Sequence, residues 1–169
     1  VPTLADMEEI ELSNRLYHEG DTHVMTVVLT GQTPETEARI SGPVSFLLSP
    51  LRLVTVRHHR PRSFETFAPR AGRTVAGTAS PAAIFLGLTE EIIGRLADHL
   101  EEIGRGLDTV SGTIYAADPA RRTQERLQVS LQRIGREGEM LSRLRLSLLT
   151  LARAVGFVQP LPALRPLAD

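Results

Sequence analysis

The chain contains no cysteine. That removes disulfide frameworks, thiolate metal sites and cysteine nucleophiles at once. It contains no lysine either. All 19 basic residues are arginine, a bias that reads as a GC-rich coding sequence. Aromatics make up 4%, too few for the stacking platforms that single-stranded nucleic acids use. Neither sign of charge prevails: the formal net charge is −1, which argues against a nucleic-acid partner. No apolar run reaches the roughly 18 residues that a membrane helix needs, and no signal peptide is visible. The first residue is Val1, not Met, as expected for a piece of a longer protein.

What remains is the composition of a folded, soluble chain. Hydrophobic residues make up 41% and charged residues 23%, enough for one domain with a core plus a helical arm. The stretch from Ala83 to Tyr115 dominates. Its apolar residues are Ile92, Leu96, Leu100, Ile103, Leu107, Val110 and Ile114, near the coiled-coil period. A helix of that length needs a partner along most of itself. Its outer face is acidic: Glu90, Glu91, Asp98, Glu101, Glu102 and Asp108 against Arg95 and Arg105. Glu91–Arg95 and Glu101–Arg105 are favourable i,i+4 pairs.

Asp118-Pro119 is a helix start signal. The helix it opens is expected to run to about Val155 and to end at Gly156. Its apolar stripe is Leu127, Leu131, Ile134, Gly138, Leu141, Leu144 or Arg145, Leu148, Leu151 and Val155. Arginines outnumber acids on it. An acidic long helix followed by a basic one predicts an antiparallel hairpin with charge complementarity. Gly135 and Gly138 predict close approach of another backbone. The segment from Gln159 to Asp169, with Pro160, Pro162 and Pro166, cannot continue the helix.

Upstream, residues 2–16 read as a short helix capped by Thr3, with Asp6, Glu8 and Glu9 near its positive end. Gly20-Asp21 marks a turn. His23–Thr30 reads as a strand and Gly31–Gly42 as a loop. Val44–Ser49 and Leu51–His58 read as a tight hairpin about Ser49-Pro50, with one wetter face. Phe64–Arg70 reads as a short helix and Arg73–Ser80 as a connector. The fold class expected is α+β: an α/β/α sandwich with a small mixed or antiparallel sheet, then a long antiparallel helical hairpin leading into a stalk helix. The divisions are 1–82 for the sandwich, 83–156 for the hairpin and stalk start, and 157–169 for a Pro-rich tail.

Candidate chemistry is sparse. Asp6, Glu8 and Glu9 form a carboxylate cluster of the type that suits Mg²⁺ or Ca²⁺. His58 and His59 are possible zinc ligands, but adjacent strand residues point to opposite faces and cannot chelate as a pair. His99 and Glu102 are i,i+3 neighbours that could share a cation. No Gly-rich phosphate loop, Ser/His/Asp order or paired-carboxylate arrangement stands out, so an enzyme is not expected.

Taken in order, PTLADMEEI…NRL, HVMTVVL, VSFLLSPLRLVTVRHHRPRSFETF, SPAAIFLGLTEEIIGRLADHLEEIGRGLDTVSGTIY and LQVSLQRIGREGEMLSRLRLSLLTLAR resemble the cytoplasmic domain of the CorA superfamily of divalent-cation transporters. The family's Gly-Met-Asn signature and its two membrane helices are absent from this sequence. Asp6-Met7 stands roughly where the family has a regulatory Glu-Asp pair, with one carboxylate lost. The family's partner Asp has no evident counterpart near Ala154–Phe157. The TVRHHRP texture favours the zinc-transporting ZntB branch over the magnesium branch.

The resemblance implies a soluble domain at the cytoplasmic face of the inner membrane, a homopentamer in the full-length protein. Its partners are its own missing transmembrane helices, with no membrane contact by this segment itself. No cofactor is expected in the segment other than a divalent cation, Zn²⁺ or Mg²⁺. The metal candidates are Asp6, Glu8, Glu9, His58, His59 and His99. The alternative is a helical-hairpin protein-interaction module unrelated to metal transport.

Overall fold

A computed structural model describes residues 2–9, 15–33, 39–115 and 124–161. The chain is α+β. Helix α1 (Leu4–Glu8) precedes four strands, β1 (Leu16–Glu19), β2 (Thr22–Gln32), β3 (Arg39–Leu48) and β4 (Leu53–Arg57). Helix α2 (Arg62–Phe67) runs into a 3₁₀ segment (Ala68–Arg73), and two helices of 35 residues follow, α3 (Pro81–Tyr115) and α4 (Gln124–Val158). Each long helix spans about 52 Å at 1.5 Å per residue. The strands form one antiparallel sheet in the order β1-β2-β3-β4.

Local sequence explains the starts of the elements. Thr3 caps α1 in a reciprocal box with Asp6. Ser80 accepts the Ala83 amide proton at 3.1 Å and Pro81 occupies the first helical position of α3, where its missing N–H costs nothing. The two residues between Glu19 and Thr22 turn β1 into β2, and Gly20 supplies the positive φ, 57°, that such a tight turn requires. Ser49 closes the β3–β4 turn, its amide donating to the Arg52 carbonyl at 3.0 Å.

Alternation along the strands divides the sheet into two covered faces. Met25, Val27, Leu29, Val44, Phe46 and Leu48 face a core shared with Phe85, Leu88, Ile92 and Leu96 of α3 and Leu144, Leu151 and Val158 of α4. Val24, Thr26 and Ser45 are buried on the other face. There α1 packs against β3 and buries Met7, and the Thr26 and Ser45 hydroxyls satisfy each other at 2.7 Å.

The sheet has an edge that needs covering. Strand β1 pairs with the first part of β2, and the Arg15 carbonyl just before it accepts from the Thr26 amide. One step along, the Val28 amide donates instead to Thr150 Oγ1 of α4 at 3.0 Å. Replacement of Thr150 by the isosteric Val strands that half-buried amide. Thr150→Val is expected to lower stability by about 1–2 kcal/mol, read as a lower urea midpoint at unchanged slope.

Several expectations are corrected. The first helix ends at Glu8, and Leu16–Glu19 is a strand that the reading missed. Gly31, Gln32 and residues 39–42 belong to β2 and β3 rather than to a loop. Leu51 lies in the turn, 91% exposed, and β4 begins at Leu53. Gly156 sits inside α4, because a single glycine costs a helix only about 1 kcal/mol and the packing of Ala154 and Val158 offsets that. Ile10 and Glu11, Pro34, the Asp118-Pro119 signal, Pro162 and Pro166 lie outside the described residues.

The largest correction concerns how the hairpin packs. On α3 the buried seam is Ile92, Leu96, His99, Ile103, Gly106 and Val110, with His99 half-buried. Leu100 and Leu107 stand beside it, 38% and 39% exposed. On α4 the inward seam is Ser130, Arg133, Glu137, Met140, Leu144, Ser147 and Leu151. Of the expected apolar stripe, Leu144 and Leu151 are buried in this seam, whereas Leu127, Leu131, Ile134, Leu141 and Leu148 face outward. The four ion pairs among the described residues include none between α3 and α4, so the charge complementarity of the two helices is not realised as direct pairs between described residues. Glu91–Arg95 forms, loosely, at 3.8 Å; Glu101–Arg105 does not. Gly135 and Gly138 meet nothing within 4 Å. The close approach is instead at Gly106, where a Cβ would stand 2.9 Å from the Glu137 carboxylate.

Candidate functional site

The six candidate ligands sit on three separate elements. Asp6 is bound up in the α1 cap. Its carboxylate accepts from the Thr3 hydroxyl at 2.7 Å and the Thr3 amide at 2.8 Å. Those two bonds, the hydroxyl's first, hold its pKa below the ordinary carboxylate value. Glu8 and Glu9 are exposed at the same helix. His58 and His59 follow β4 and do point apart: His58 is exposed and His59 is buried. His99 lies on α3, its Nδ1 3.6 Å from Glu102. Among the described residues no three His, Asp or Glu side chains gather where one ion could bind.

His59 has a place in the fold that the sequence reading did not assign. Its Nε2 donates to the Leu29 carbonyl at 3.0 Å. The segment His59–Arg60 crosses the core face of the sheet over Gly42 and Gly31, and Arg60 pairs its backbone with Gln32 in both directions, at 2.9 and 3.1 Å. Burial pushes the His59 pKa below the ordinary imidazole value, only partly opposed by the bond to Leu29, and Arg57 and His58 push the same way as burial.

Two hollows open along the hairpin. The first, of about 340 Å³, lies where the end of β2, the start of α2, and α3 and α4 converge, and Arg60, Arg62, Arg95, His99 and Arg143 line it. The second, of about 600 Å³, is a groove between α3 and α4 alone, lined by His99, Glu102, Arg133, Arg136 and Glu137 above Ile103 and Met140. His99 borders both. The acids of α3 fall into two groups. Glu91 is held by Thr66 at 2.6 Å and Arg70 at 3.1 Å, and it braces α2 against α3. Glu90, Asp98, Glu101, Glu102 and Asp108 are exposed and give that arm its negative face.

A further cluster went unnoticed because β1 did. His18 and His23 are cross-strand partners with ring centroids 4.4 Å apart, and His18 stacks on Phe157 of α4 at 4.6 Å. Their signal was available in the two-residue spacer of Glu19-Gly20-Asp21-Thr22, which sets the two histidines opposite each other.

No helix among the described residues is long and apolar enough to cross a membrane. The sequence model of the CorA-like Mg²⁺ transporter proteins matches residues 2–165. No curated protein sequence matches the chain.

Proposed function

The chain belongs to the CorA-like Mg²⁺ transporter family, and from that premise we propose that it is the extramembrane, cytoplasmic-face domain of a divalent-cation transporter and works as one wall of an oligomeric funnel. One observation carries the reading: the apolar seam of α4 that its own fold leaves uncovered. Leu127, Leu131, Ile134, Leu141 and Leu148 are each 37% exposed or more, at spacings of three, four or seven residues. A seam at that period is built to meet other helices. The occupants that match it best are copies of itself, as in the homopentamer that the resemblance implies. The exposed acids of α3 then attract cations toward the assembly.

Of the two branches we favour zinc. His99 stands between the acidic face and the hairpin groove, and a histidine beside Glu102 suits Zn²⁺ better than Mg²⁺, which prefers oxygen ligands and keeps its waters. Asp6, Glu8 and Glu9 are the oxygen-only alternative, and His58 is an exposed zinc ligand of the same weight. His59 is the weakest of the six, because a metal on Nε2 would have to displace the Leu29 bond.

Sedimentation of the chain and of Leu141→Arg, each with Zn²⁺, Mg²⁺ or a chelator, tests this. Self-association that Leu141→Arg abolishes, and that Zn²⁺ shifts more than Mg²⁺, is the expected result. A stronger response to Mg²⁺ reverses the branch. A monomer indifferent to both ions sinks the reading and leaves the hairpin as a docking arm for an unlike protein.

A further inference from the structure

We propose that the 340 Å³ cavity at the root of the hairpin binds a small organic polyanion, bearing phosphate or several carboxylates on a short aliphatic body. Four arginines converge on this one hollow: Arg60 in the segment before α2, Arg62 at the first position of α2, Arg95 on α3 and Arg143 on α4. Glu65 is the one acid among the described lining residues. Two of the guanidiniums have partners: Arg143 is paired with Glu139, and Arg95 stands 3.8 Å from Glu91. Arg60 and Arg62 make no ion pair with a described residue. Arg60 and Arg62 are exposed at the rim, and Arg95 and Arg143 are about one-third exposed; guanidiniums gathered around one concave space repel each other unless an anion sits among them. Their planar forks match phosphate and carboxylate oxygens two at a time.

The backbone is arranged to hold them there. The His59–Arg60 segment passes over Gly42 and Gly31 so closely that a Cβ on Gly31 would fall 2.8 Å from the Arg60 carbonyl. The paired backbone bonds to Gln32 fix Arg60 at the mouth. Beneath the charged rim the floor is apolar, made by Leu29, Ile40, Ile92, Leu96 and Met140. A cavity of this size with an apolar floor and a few convergent charges is the usual form of a small-ligand site. Among the described lining residues there is no Phe, Tyr or Trp, so a nucleobase would have only the His99 imidazole and the guanidinium planes to stack on, and the apolar floor fits an aliphatic ligand body better. An anion seated there touches β2, α2, α3 and α4 together and ties the hairpin to the sheet.

The test is titration of the chain with inorganic pyrophosphate and with citrate, followed by calorimetry and thermal melting at fixed ionic strength. Saturable binding of either probe with a Kd below about 1 mM, with a raised Tm, is expected. Arg60→Gln/Arg62→Gln is expected to melt like the wild type without ligand and to bind about tenfold more weakly or worse. Arg126→Gln, an exposed arginine of α4 outside the cavity, is expected to bind as the wild type does. Absence of saturable binding by both probes, or equal loss in Arg126→Gln, overturns the proposal.

Discussion

Phe46→Ala is expected to cost about 3–5 kcal/mol, a fifth or more of the roughly 5–15 kcal/mol that holds a domain together. Phe46 is 0% exposed and stands two residues from the end of β3, opposite Met25 on one side and Thr55 on the other. Its ring meets Phe85 of α3 edge-on at 5.5 Å and lies nearly parallel to Phe64 of α2 at 6.1 Å. One side chain therefore links the sheet to both helices that follow it. Truncation removes the transfer free energy of the ring. It also removes the two aromatic pairs, worth about 0.5–1.5 kcal/mol each beyond area, and leaves a cavity that three elements border and none can collapse alone. Phe46→Leu keeps most of the volume and is expected to cost less than about 1.5 kcal/mol. Urea denaturation followed by far-UV circular dichroism measures both. An Ala variant within about 1 kcal/mol of wild type would show that α3 does not depend on this contact.

The parts of the fold that were legible are those whose cause is local. Ser49-Pro50 makes its turn whatever lies beyond it, and Thr3 caps α1 from three residues away. The length of α3 shows in its periodicity. The phase of α4 was not legible, and the reason is physical. Two stripes of the same period run along that helix. One is apolar (Leu127, Leu131, Ile134, Leu141, Leu148), and the other mixes Ser130, Arg133, Glu137 and Met140 with Leu144, Ser147 and Leu151. Burial preference alone picks the first and runs it together with Leu144 and Leu151, as though one face held them all. The fold buries the second, since Leu144 and Leu151 must reach the sheet core and the helix cannot rotate between its ends. Strand β1 has only Leu16 and Tyr17 to bury, too few for a period to register. The strand ends at Gly31 and Gly42 read as loop because each residue looks like a breaker until something is seen lying across it.

The candidate site divides the same way. The separation of His58 from His59 is expected from strand alternation, but both lie just past the end of β4, where the bend leaves His58 exposed and buries His59. The clustering of Arg60, Arg62, Arg95 and Arg143 brings together parts of the chain separated by up to 83 positions (143 − 60). No spacing rule reaches that far, and a uniform use of arginine for every basic position hides the few that converge.

What lies across the two glycines is His59, and substitutions there carry the second large effect. Gly31→Ala would set a Cβ 2.6 Å from His59 Cδ2 and 2.8 Å from the Arg60 carbonyl carbon and oxygen. The imidazole can yield; the backbone, paired to Gln32, cannot. An overpacking cost of about 1–3 kcal/mol is expected. Gly42→Ala meets only the ring, with His59 Nδ1 at 2.9 Å. His59→Ala removes the bond to Leu29 and opens a buried void, together about 2–3 kcal/mol. The double variants separate these causes. His59→Ala is expected to relieve Gly42→Ala almost entirely and Gly31→Ala only in part, because the Arg60 carbonyl remains. Equal relief of both would mean that the crossing backbone moves freely and fixes nothing. The same ring sets a pH dependence. Burial keeps the folded pKa of His59 below the ordinary value, and His23 is lowered in the same direction, first by burial and then by His18. The unfolded chain takes up protons near pH 6.5 while the folded one resists, so the unfolded state binds more protons and stability rises with pH through that range. The contribution is full above about pH 6.5 and is lost as pH falls toward the lowered folded values. The thermal midpoint is therefore expected to drop on acidification below that point, and His59→Gln is expected to shed part of the slope, leaving the share that belongs to His23. An unchanged slope in His59→Gln would assign the whole dependence elsewhere.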